Sequence, residues 1–150
     1  MIAVHEIMST SPVTVGPTTS VGELLALFDR HDFNAFPVLD DRGWLLGIVS
    51  KLDGLELFLA DGASTDAARG AVGTTAVQEL MQHEVVSVEP SESISTAGAV
   101  MVATSLRSLP VVDRRHGRPI LVGILSRGDV LRSLRFQLVE GSYVRQVPVS

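Results

Sequence analysis

Two seven-residue stretches hold side chains that could do chemistry. Gly47-Ile48-Val49-Ser50-Lys51-Leu52-Asp53 and Gly123-Ile124-Leu125-Ser126-Arg127-Gly128-Asp129 each lead an apolar run into a Ser, a basic residue and then an Asp. The pattern predicts a buried strand running straight into a helix. A first helical turn offers unpaired backbone N–H groups and a partial positive charge. With a carboxylate beside it, such a junction can hold a small polar molecule. Ser-x-x-Asp is also a capping pattern, with Ser as N-cap and an acid in the first turn. A lone copy would be read as a cap. Two copies with matched residues upstream ask for more.

The match is an internal repeat. Laying residue 5 on residue 78 puts Glu6-Ile7-Met8 on Glu79-Leu80-Met81, Val13-Thr14-Val15 on Val86-Ser87-Val88, and Pro17 on Pro90. At the same offset Phe36-Pro37-Val38-Leu39-Asp40 falls on Leu109-Pro110-Val111-Val112-Asp113. The turn Asp41-Arg42-Gly43 is replaced by the longer run Arg114 to Pro119, after which the two Ser-x-x-Asp stretches align.

Each repeat has one coarse structure. Val13–Val15 is a short β segment, and Ser20-x-x-Glu23 opens a helix. Val21, Leu24, Leu25 and Phe28 recur at helical spacing, so that face is expected to be buried; Ile94, Ala97 and Met101 do the same in repeat 2. Phe36–Leu39 is a strand, with Pro37 at its start, as suits a strand's first residue. Trp44–Val49 is a second strand, and Lys51–Ala60 a second helix stopped by Asp61-Gly62. The order is β-α-β-β-α. Residues 61–75, rich in Gly, Ala, Ser and Thr, read as a linker or mobile loop. Repeat 2 closes with a helix from Arg127 to about Glu140, capped by Gly141. The end of the chain, Tyr143 to Ser150, fits a strand or disorder equally.

Composition excludes several classes of function. No cysteine is present, which removes disulfides, thiol chemistry and cysteine metal sites. A net charge of −5 argues against a general nucleic-acid surface. No apolar run nears the roughly 20 residues of a membrane helix, and the first fifteen residues do not resemble a signal peptide. A cytoplasmic location is expected. The 45% hydrophobic content and mean hydropathy of +0.31 suggest an apolar surface covered by a partner. Lys51 is the single lysine among twelve basic residues, and the arginine bias runs along the whole chain. No Ser-His-Asp set, phosphate loop or metal cluster appears, so no catalysis is expected.

The repeats carry a family resemblance. Ile7-Met8 or Leu80-Met81 near the start, the Pro-Val-hydrophobic-Asp strand, and Gly-hydrophobic-hydrophobic-Ser-x-x-Asp at the end resemble a CBS motif. Two in tandem resemble a CBS pair, or Bateman module. The resemblance covers a repeat at 4–60 and one at 76–135, which leaves 61–75 as a linker and 136–150 as a tail. It implies a single α/β (α+β) fold of two pseudo-twofold β-α-β-β-α repeats with packed sheets. It further implies a regulatory module sensing an adenine nucleotide, with or without magnesium, in clefts between the repeats. A homodimer and a regulated enzyme or transporter are the expected partners.

The same resemblance assigns roles by residue. Asp53 and Asp129 take the ribose hydroxyls; Ser50 and Ser126 contact ribose or phosphate. A carboxylate repels phosphate, so Lys51, Arg127 and Arg107 are the candidate cations, with Asn34 standing where Arg107 stands in the other repeat. Adenine is gripped by the pre-strand segment of the opposite repeat: Phe33, Asn34 and Ala35 with Ile7 for the Asp129 cleft, and Leu106, Arg107 and Ser108 with Leu80 for the Asp53 cleft. Phe33 and Leu106 could equally fill the core, and Lys51 and Arg127 could be solvated first-turn residues. His5, His31, His83 and His116 read as surface. A sensor of S-adenosylmethionine or another adenosyl ligand, which needs no phosphate cluster, and a ligand-free dimerisation scaffold are the competing functions.

Overall fold

The structure, a computed structural model, describes residues 1–62 and 65–146. It divides into two compact units that interleave along the chain. One, the α1 unit, holds Val13–Val86 and Arg114–Leu121; the other, the α4 unit, holds Met1–Pro12, Ser87–Asp113 and the described chain from Val122 to Gln146.

In the α1 unit, helix α1 (Val21–Arg30) starts where the Ser20 hydroxyl accepts from the Glu23 N–H at 3.1 Å. Strands β1 (Ala35–Leu39) and β2 (Leu45–Ser50) pair antiparallel, with Ala35 opposite Ser50 and Pro37 opposite Ile48. The turn between them is set by Asp40, whose carboxylate accepts from the N–H groups of Arg42 and Trp44, and by Gly43 at φ +83°. Helix α2 (Lys51–Leu57) runs into a π-helical turn, Phe58–Gly62. Val15, Leu24, Phe36, Val38, Val49 and Val77 make the core.

Pro37 lies mid-strand, not near the strand's start, and the ladder shows why it fits. Val15 donates to the Pro37 carbonyl and accepts from the Leu39 N–H. On the other side, Ile48 spends both its backbone groups on Gln82. No partner calls on the N–H that proline lacks.

The stretch expected as a linker carries a helix among its described residues. Helix α3 (Asp66–Thr74) is capped by the Thr65 hydroxyl on the Ala68 N–H, with Val72 buried. Its Gly73 carbonyl lies so near Gly22 of α1 that a Cβ there would stand 3.2 Å away. Leu25 also departs from expectation: it is 51% exposed, beside Gly54 of α2.

The α4 unit repeats the plan. Helix α4 (Ile94–Thr104) is capped by Ser93 and buries Ile94, Ala97 and Met101 as expected. Strands β3 (Ser108–Asp113) and β4 (Ile120–Ser126, of which Val122–Ser126 belong to this unit) pair, and helix α5 (Arg127–Gln146) follows. Gly141 does not end α5. One interior glycine costs only about 1 kcal/mol relative to alanine. Tyr143–Gln146 therefore continue the helix, and residues 147–150 lie outside the described residues. The core includes Val4, Val88, Leu109, Val111 and Leu125.

Two short crossings tie distant segments within each unit. Ser9 exchanges both backbone hydrogen bonds with Ile124 of β4, and Gln82 does the same with Ile48 of β2. Each crossing runs over a glycine. A Cβ on Gly123 would lie 2.6 Å from the Met8 sulfur and 2.7 Å from the Ser9 carbonyl oxygen. One on Gly47 would lie 2.5 Å from the Gln82 carbonyl oxygen. Glycine is required there by close backbone approach.

Candidate functional site

Both Ser-x-x-Asp stretches fall where strand becomes helix, and both close as reciprocal caps. Ser50 Oγ accepts from the Asp53 N–H at 3.1 Å while Asp53 Oδ2 accepts from the Ser50 N–H at 2.8 Å. Ser126 and Asp129 do the same at 3.1 and 2.9 Å. Each cap occupies only one oxygen of its carboxylate, so Oδ1 remains for another donor.

That second oxygen distinguishes the two sites. Asp53 Oδ1 accepts from the Gln82 side-chain amide at 3.1 Å. Asp129 Oδ1 faces the Arg132 guanidinium at 2.5 Å. The Asp129 side chain is only 13% exposed, whereas Arg132 is 74% exposed. Asp129, Arg132 and Ser133 line a cavity of about 390 Å³ with the apolar Ile2, Ile7 and Phe136. A carboxylate, a guanidinium and an apolar wall together suit a ligand with hydroxyls, an anionic group and a flat apolar part.

Each junction is tied to the segment before the first strand of its own unit. The Asn34 carbonyl accepts from the Lys51 N–H, and the Arg107 carbonyl from the Arg127 N–H, both at 2.9 Å. Arg127 goes further. Its guanidinium donates to the carbonyls of Ser105 at 2.6 Å and Leu106 at 2.9 Å. Ser105 sits at φ +59°, at the end of α4. Arg127 therefore pins that turn. Arg107 is exposed, and Lys51 places its ammonium 5.8 Å from the Phe28 ring centre.

Ser126, Arg127, Asp129, Leu106, Arg107, Ser108 and Ile7 belong to the α4 unit. Ser50, Lys51, Asp53, Phe33, Asn34, Ala35 and Leu80 belong to the α1 unit. Leu80 packs on the α1-unit core. Phe33 and Leu106 are not core residues, being 46% and 38% exposed. Phe33 stacks on His31 at 5.5 Å, and both rings meet Phe36 edge-on, so His31 is a partly covered aromatic neighbour and not a plain surface residue.

Arg132, Ser133, Ile2, Phe136 and Gln82 escaped the sequence reading. Arg132 had a visible signal, since a residue three places beyond Asp129 shares its helix face. Gln82 and Ile2 had none, because chain crossings bring them in.

Two strand pairs, each running through Ser-x-x-Asp into a helix, define a tandem mixed helix-and-strand module with small sheets. The CBS domain model matches residues 4–60 and 77–135. The chain therefore belongs to the CBS domain family and carries two copies. It is similar to the CBS domain-containing protein YhcV of Bacillus subtilis (strain 168), 33% identical over 130 residues, covering 87% of this chain and 84% of that one. It spans less of two further curated relatives, 57% and 44% of their length. The crystal structure of CBSX2 in complex with AMP matches at TM-score 0.74 and 31% identity, covering 91% of this chain and 99% of that one. The CBS domain pair of protein MJ0100 in complex with 5'-methylthioadenosine and S-adenosyl-L-methionine matches at TM-score 0.67 and 25% identity, covering 89% and 99%. No helix among the described residues is long and apolar enough to cross a membrane.

Proposed function

We propose that the chain is a non-catalytic regulatory module that binds an adenine nucleotide, with Asp129 accepting from the ribose hydroxyls. The observation that carries the reading is the Asp129 carboxylate. It is largely buried, fixed by its cap, and lines a cavity whose other walls are Arg132 and apolar side chains. Charge-assisted hydrogen bonds from two hydroxyls to such a group are worth about 1.5–3 kcal/mol each. The AMP complex of a relative with 31% identity supports the ligand class. Magnesium would enter only with the phosphates of a di- or triphosphate. In this reading the module acts in the cytoplasm on an enzyme or transporter, biasing its state through ligand occupancy.

A second reading, a sensor of S-adenosylmethionine or a related adenosyl compound, is favoured by the ligands of the MJ0100 pair. A scaffold without ligand is the third. Titrating the purified protein with AMP and with S-adenosylmethionine separates them.

We further propose a homodimer. Leu52 and Leu55 on α2, Leu59 in the π-helical turn after it, and Leu131 and Leu134 on α5 are all exposed. Val130 of the expected α5 stripe is buried. Apolar helix stripes of this kind are covered by twofold packing. Light scattering at tens of micromolar should give twice the chain mass; monomer alone would refute it.

A further inference from the structure

We infer that Arg132 and Ser133 read the ligand's anionic end, making the Asp129 site selective for phosphorylated adenosine compounds. This rests on an adenosyl ligand binding at Asp129.

Three observations carry it. Arg132 lies on Asp129 through a single guanidinium nitrogen, and its side chain is mostly in solvent. The arginine end of the pair stays in water, so the guanidinium loses little when it moves to another acceptor. Once ribose hydroxyls donate to Asp129 Oδ1, the guanidinium is displaced at small cost, and its remaining donors suit a phosphate in bidentate geometry. The second observation is Ser133, one place further along α5. Its hydroxyl oxygen is buried and has no hydrogen-bond partner, and the residue lines the same cavity. A buried hydroxyl left unpaired is costly and calls for a partner; turned about χ1 toward the cavity, it finds one in a phosphate oxygen of the ligand.

The third observation is the repeat itself. With Ser126–Asp129 laid on Ser50–Asp53, Arg132 falls on Glu56 and Ser133 on Leu57. The Asp53 junction therefore has an acid and an apolar residue where the Asp129 junction has a cation and a hydroxyl. Asp53 instead takes a neutral amide from Gln82. Two junctions of one design thus carry opposite charge beyond the ribose-binding acid. The Asp129 site accepts a phosphate, and the Asp53 site repels one.

Calorimetric titration with AMP and with adenosine tests this on the intact chain, comparing wild type, Arg132→Ala and Ser133→Ala. Arg132→Ala should weaken AMP tenfold or more, the loss of one charge-assisted contact, and leave adenosine within about twofold. Ser133→Ala should weaken AMP about fivefold without lowering the melting temperature of the free protein, because it removes an unpaired buried group. Equal loss of AMP and adenosine in Arg132→Ala would make Arg132 a mere support for Asp129 and overturn the assignment. So would unchanged AMP affinity in either variant. If wild type binds neither compound, the adenosyl reading fails as well, which separates that failure from a wrong role for Arg132.

Discussion

Replacing Gly123 by alanine should destabilise the protein by about 2 to 3 kcal/mol, the usual cost of forcing a methyl into filled space. For a chain of this size that corresponds to a melting point lower by about 5 to 10 °C. The added Cβ would meet the Met8 sulfur at 2.6 Å and the Ser9 carbonyl oxygen at 2.7 Å. A methionine side chain can turn aside, but the Ser9 backbone cannot. Its N–H and C=O are both bonded to Ile124, at 2.9 Å each. Moving it breaks both bonds and draws the neighbouring turn, with Val4 at its base, out of the core. Gly47→Ala should behave alike against the Gln82 carbonyl. Gly70→Ala in α3 is the control. Its Cβ meets nothing within 4 Å, and alanine favours a helix over glycine by up to about 1 kcal/mol. If Gly123→Ala melts within about 1 °C of wild type, the crossing does not lie where described.

Asp129→Ala should weaken AMP binding some 30-fold, the consequence of losing about 2 kcal/mol of hydroxyl–carboxylate bonding. Asp53→Ala should leave most of that affinity in place. The asymmetry comes from what faces each carboxylate: Arg132 at one, the Gln82 amide at the other. Both alanines also lose a cap, because the Ser126 or Ser50 N–H loses its acceptor, at about 1 kcal/mol of stability. Asparagine keeps an acceptor for that N–H while removing the charge. Asp129→Asn should therefore melt near wild type and still bind AMP weakly. A greater loss from Asp53→Ala would mean that the strong site is the other one.

Much of this was legible in the sequence, for identifiable reasons. Ser50–Asp53 and Ser126–Asp129 announced strand-to-helix junctions because capping depends on local spacing alone. The buried face of Ile94, Ala97 and Met101 showed in its period. Other features depended on partners distant in sequence. Pro37 reads as a strand's early residue until Val15 and Ile48 are seen to need nothing from its nitrogen. Helix α3 was hidden by small residues that resemble a loop; its cap, Thr65 on Ala68, was the available signal. Arg127 looks like a phosphate cation in sequence; that two of its guanidinium nitrogens donate to the carbonyls of Ser105 and Leu106 could be seen only in the fold. The unpaired hydroxyl of Ser133 is a fact of packing that no spacing could announce.

The most direct measurement of the central claim is a calorimetric titration of the purified chain with AMP, paired with a melting curve at saturation. Saturable binding is expected, and at one hundred times the dissociation constant a stabilisation of about 2.7 kcal/mol. That should appear as a rise in melting temperature of about 5 to 10 °C, largely absent in Asp129→Ala. A flat titration and an unmoved melt with AMP, ADP, ATP and S-adenosylmethionine alike would contradict it and leave the scaffold in its place.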